Sequence, residues 1–124
     1  MKKHQTNSER VEQMSKLEQA VLKVQEELCD YREYTLKRFS KEDIFDMNYE
    51  IFVKAETADQ MQTIQKGELS DRQLDEIIGC SDFLNKVFDT FRKNSGTVSV
   101  RDCIFDSADG LVQWSEKPEQ EYVQ

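Results

Sequence analysis

Carboxylates are the groups whose spacing in this chain comes nearest to chemistry. Glu42, Asp46 and Glu50 fall four residues apart, so a helix through them carries all three along one face. Asp71, Asp75 and Glu76 repeat the arrangement further on. Acidic residues facing one another from helices can hold paired metal ions, and two carboxyls flanking a sugar bond can hydrolyse it. In helical bundles, however, such metal sites combine Glu with a Glu-x-x-His element. The single histidine is His4, in a terminal segment expected to fray. These six residues therefore read as a solvated acidic face and, in functional terms, as a candidate partner-binding surface.

Other catalytic chemistries lack parts. A Ser or Cys nucleophile needs a placed base, and His4 is not one. Zinc needs clustered Cys and His ligands, whereas Cys29, Cys80 and Cys103 are dispersed. They read as small buried hydrophobes. No glycine-rich phosphate loop is present. The run D-S-A-D-G at 106–110 has only the first positions of a calcium loop and no Glu at the required distance. The expectation is a protein that is not an enzyme, with no catalytic residues, no cofactor and no metal. No apolar run approaches the roughly 20 residues that cross a bilayer, and the start MKKHQTNSER has no apolar signal region. Cytoplasmic residence and no membrane partner are expected.

Charge is distributed unevenly. Residues 1–40 hold eight Lys and Arg against seven Asp and Glu, a net of +1. The remaining nine basic and eighteen acidic residues give 41–124 a net of −9. Such a body repels nucleic acid and attracts basic surfaces. The basic pairs at 37–38 and 92–93 are isolated, so direct nucleic-acid binding is not expected.

Helix signals position these groups. Met14, Leu17, Val21, Val24, Leu28 and Tyr31 alternate spacings of three and four, a heptad stripe on a helix expected over Ser8–Arg38. Thr6 and Glu9 have the spacing of a capping box before it. The stripe suits packing on its own domain, self-association or a partner helix. Ser40 restarts the pattern before a segment over 44–66, readable as one bent helix or two. Ile44, Met47, Ile51 and Ala55 form its apolar face, widened by Tyr49 and Phe52, and Gly67 is its expected stop. Ser70 with Gln73 is the next capping box, stapled by Leu69 and Leu74, and Gly79 ends that helix. Ser81 caps a helix with Phe83, Leu84, Val87, Phe88 and Phe91 inward, stopped by Gly96. Ser99 opens a last short helix, anchored by Ile104 and Phe105 and ended by Gly110. TVSV at 97–100 is the one strand-like run, with a minor hairpin as its alternative.

The predicted class is all-α: a long, coiled-coil-like N-terminal helix followed by about four shorter helices. The predicted division is a heptad arm at 1–40, an acidic helical domain at 41–110 and a disordered acidic tail at 111–124.

Three stretches, I-F-D-M-N-Y-E-I-F-V-K at 44–54, L-S-D-R-Q at 69–73 and S-D-F-L-N-K-V-F-D-T-F at 81–91, carry a resemblance. Over residues 41–109 the chain resembles a family of small, uncharacterised helical proteins. That family is carried on conjugative and related mobile elements of gut Firmicutes. It often has Tyr and Trp where this chain has Phe88 and Phe91. The resemblance implies a mobile-element origin and no active site.

The functional expectation is a non-enzymatic acidic protein-binding module, an inhibitor or regulator from a mobile element or phage. It would occlude the basic nucleic-acid-binding surface of a partner such as a nuclease, by nucleic-acid mimicry of the anti-CRISPR or anti-restriction kind. The alternative is a structural or accessory protein forming a homodimer through the heptad stripe Met14, Leu17, Val21, Val24, Leu28 and Tyr31.

Overall fold

A computed structural model describes residues 14–94 and 97–116. Six helices follow in order: α1 (Lys16–Arg38), α2 (Lys41–Asp46), α3 (Asn48–Met61), α4 (Asp71–Gly79), α5 (Phe83–Lys93) and α6 (Val100–Ser115). No strand occurs among the described residues, and Val100 of the TVSV run opens a helix. No helix among them is long and apolar enough to cross a membrane.

Four serines start helices. Ser15, Ser40, Ser70 and Ser99 are extended, and each hydroxyl accepts the backbone N–H three residues on. Each satisfies a donor that the first turn otherwise leaves unpaired. Ser15 and Ser70 form full capping boxes with Glu18 and Gln73. The first described helix begins at Lys16, with Met14 before it; the predicted start at Ser8 lies outside the described residues. The expected box at Thr6 and Glu9 lies outside the described residues, as does Gly96.

The segment after Ser40 is two helices, joined at Met47. Its N–H bonds to the carbonyls of Asp43 and Ile44, and its carbonyl accepts the N–H of Ile51. α3 ends at Met61, well before Gly67. That glycine instead sits in the connecting loop at φ 96°, which only glycine adopts cheaply. The predicted stop at Gly110 also gives way: α6 runs through it to Ser115. A helical Gly costs about 1 kcal/mol against Ala. Leu111 packing on the core, and Arg72 bonding Ser115 and pairing with Glu116, offset that cost. Residues 111–115 are therefore helix rather than tail, and 117–124 lie outside the described residues.

α1 packs on α3, α4 and α5, while α6 packs on the same three helices from the other side. Phe83, Met61, Ile77, Leu84, Ile104, Val24, Val53 and Val87 are fully buried between them. Ala20 and Val24 belong to this core, with Leu17, Val21 and Leu28 packed against it. The heptad helix thus forms a wall of the body. α2 has no buried residue, and its main helix contact is with α3.

Candidate interaction surface

Three places hold chemistry worth building upward: the join of α1 to α5, a buried ion pair between α1 and α3, and the exposed aromatics of α2 and α3.

At the first, the predicted serine cap is replaced. α5 is capped at Asp82, which makes no side-chain capping bond. Its first N–H groups are taken by Glu27 of α1: Phe83 donates to Oε1 at 3.1 Å and Leu84 to Oε2 at 2.8 Å. A carboxylate at a helix N-terminus meets both the free donors and the positive end of the dipole. Lys23, at 3.0 Å from Glu27, holds it in place.

The second place is unexpected. The Lys54 side chain is only 4% exposed, and its Nζ lies 2.7 Å from Glu50 and 3.9 Å from the centre of the Tyr31 ring. Tyr31 donates its hydroxyl to the same Glu50 oxygen at 3.0 Å. Burial pushes Glu50 up, but the bonds from Lys54 and Tyr31 outweigh it, and the carboxyl lies below its ordinary range. Burial, then the bond to Glu50, pushes the Tyr31 phenol up to about 12. A buried charge needs such a partner to be tolerated. This cluster is structural: Lys54 and Tyr31 both bond the same Glu50 oxygen.

These partners redistribute the predicted acidic face. Glu42 and Asp46 are exposed on α2, while Glu50, beyond the join at Met47, is half-buried and turned inward. Asp71 and Asp75 are exposed on α4 and Glu76 is half-buried there. Asp75 is paired with Lys16 at 3.0 Å, a bond that raises the Lys16 ammonium. α3 and α4 are not among the closely packed helix pairs. The six carboxylates are therefore two separate groups, and among the described residues Glu42, Asp46, Asp71 and Glu76 take part in no ion pair. Of the heptad residues in α1, Val24 is buried and Leu17, Val21, Leu28 and Tyr31 are half-buried against the chain's own body.

No cluster of His, Cys, Asp and Glu suited to a metal occurs among the described residues. Cys80 and Cys103 are buried, which pushes both thiols up and away from nucleophile range. Cys29 is exposed, against the expectation of burial; it sits on the outer side of α1, off the stripe.

The third place is the exposed aromatics. Phe45 is 79% exposed and Phe52 60%. Tyr49, between them in sequence, is half-exposed, with its ring against Phe88 and Phe91 of α5 at 6.0 and 5.9 Å between centroids. The sequence reading assigned Tyr49 and Phe52 to the buried face. That face is instead Val53, Thr57, Ala58 and Met61, with Lys54 beside it.

Compared with known protein families, with curated proteins and with solved structures, the chain matches none.

Proposed function

We propose that this protein is a non-enzymatic acidic module that binds a basic surface of a partner protein and acts as an inhibitor or regulator. The observation that carries the reading is α2. It buries no residue, and its carboxylates Glu42, Asp43 and Asp46 stand exposed beside the exposed Phe45, outside the ion pairs made among the described residues. By contrast, Lys16, Lys23, Lys54, Arg72, Arg92 and Arg101 are all held by carboxylates of the same chain. Internal pairing leaves acidity facing outward. Free carboxylates steer a basic partner, and aromatic residues anchor it.

The resemblance to mobile-element proteins makes a nucleic-acid-binding protein such as a nuclease the proposed target, with carboxylates standing where phosphates bind. Self-association through the heptad stripe has less support, because the stripe packs on its own core.

The test uses the immobilised full chain and a bacterial lysate. A basic protein captured at low salt and released in a salt gradient supports the reading, and Glu42→Lys with Asp46→Lys should abolish capture. Capture that survives both substitutions, or ignores salt, counts against it.

A further inference from the structure

α5 and α6 form an open groove of about 490 Å³, a volume in the range of small-molecule sites. Each wall is a single unbroken helix. On α5, Lys86, Thr90 and Lys93 stand at i, i+4 and i+7, on one face. On α6, Ser107, Gly110 and Trp114 stand at i, i+3 and i+7, again on one face. The Thr90 and Ser107 hydroxyls meet at 3.1 Å and tie the two walls together. Gly110 presents no side chain, and a Cβ there would meet nothing within 4 Å.

The charges in this groove differ from those elsewhere in the chain. Lys86 and Lys93 are exposed and take part in no ion pair among the described residues. They stand about 10 Å apart along α5, each on a flexible four-carbon stem, so both ammoniums can close on one anion set between them. Ser107 is only 7% exposed. Thr90 donates to the Lys86 carbonyl at 2.9 Å, so Ser107 can turn its proton to that anion while Thr90 keeps a partner. Asp89 is held by Arg92 at 3.1 Å. Asp106 lines the groove outside those ion pairs, and its repulsion grows with every charge a ligand adds.

We propose that this groove binds a small organic monophosphate bearing a flat ring, the chemistry of a nucleoside monophosphate. The phosphate lies between Lys86 and Lys93 at the Ser107 hydroxyl. The sugar crosses the open floor at Gly110. The ring lies toward Leu111 and Trp114, the apolar part of the lining; Trp114 is about 10 Å from Ser107 along α6. A bare phosphate would fill only a small part of the groove, and a phosphate chain would add the repulsion from Asp106. This site is separate from the proposed protein-binding surface and does not rest on it, since no lining residue belongs to α2.

The experiment titrates the full chain with adenosine monophosphate. It follows the fluorescence of Trp114, the chain's one tryptophan, with calorimetry alongside. Binding is expected to saturate with a Kd below about 1 mM. Adenosine and inorganic phosphate should each bind at least about ten-fold more weakly, and adenosine triphosphate no more tightly. Lys86→Gln with Lys93→Gln, at exposed positions, should weaken binding at least about ten-fold and leave the helical circular dichroism unchanged. Gly110→Leu puts a good helix former into α6 and a side chain into the groove. It should keep or raise the melting temperature and abolish binding. No saturation in either readout overturns the proposal, as does undiminished binding in the double lysine variant. Inorganic phosphate binding as tightly as the nucleotide would make this a bare anion site, and adenosine doing so would remove the phosphate contact; either result overturns the proposal.

Discussion

The stripe on α1 and the aromatics of α2 and α3 are both apolar and have opposite surroundings. Leu17, Val21, Val24 and Leu28 are covered by the chain's own helices, with Val24 fully buried. Phe45 and Phe52 are larger and more apolar in area, yet they are exposed. The difference lies in the polar residues interleaved with each. On α1, Gln25 donates to the carbonyl of Ala58 at 2.8 Å and Glu27 caps α5. The flank of α1 therefore supplies what its neighbours lack. On α2, Glu42, Asp43 and Asp46 offer only free charge, which no neighbouring helix of the same acidic body can use. Apolar spacing identifies a face; the polar groups beside it determine whether the chain's own helices cover it.

The strongest way to break this comparison is to put a charge into each face. Val24→Asp buries a carboxylate with no partner among apolar neighbours and should cost more than about 4 kcal/mol, enough to unfold a domain of ordinary stability. Phe45→Asp, on an exposed position, should stay within about 0.5 kcal/mol. Urea unfolding followed by circular dichroism measures both. Similar losses at the two positions would mean that Phe45 is as much a part of the core as the stripe.

A smaller effect is expected where α1 reaches α5. Glu27→Ala leaves the Phe83 and Leu84 N–H groups without their acceptor, and Lys23 without its partner. Capping losses of this kind cost about 1–2 kcal/mol. Glu27→Gln, which keeps an acceptor and loses the charge, should recover part of it. Hydrogen exchange at the Phe83 and Leu84 amides should quicken in the Ala variant. If neither stability nor exchange moved, the two helices would be held by apolar packing alone.

What the sequence made legible follows the distance between partners. Caps at Ser40, Ser70 and Ser99 act over three residues, and all three were readable. The cap on α5 comes from a residue 56 positions away, so a nearby serine, Ser81, took its place in the reading. Glu42, Asp46 and Glu50 appeared to share a face because four-residue spacing assumes one helix. The join at Met47 divides them, and Lys54 draws Glu50 inward. Gly110 read as a stop because glycine is a poor helix former, but contacts made by Leu111 and Arg72 depend on tertiary packing. The all-α class was legible throughout. The exposure of Phe45 and Phe52 was not, because it depends on the absence of a covering element.

The Tyr31, Glu50 and Lys54 cluster sharpens the comparison most finely, since Tyr31 ends the covered stripe and Glu50 follows the half-exposed Tyr49. Its pH dependence has a definite sign. Glu50 has a folded pKa below its ordinary 4.5, so its contribution is present above about pH 4.5 and is lost as pH falls through the lower, folded value. Tyr31 is raised from 10.0 to about 12. Its contribution is complete below pH 10 and is lost as pH climbs from there to about 12. Glu50→Gln should therefore flatten the acid side of the stability profile. Tyr31→Phe should remove a late-ionising phenol from the ultraviolet titration.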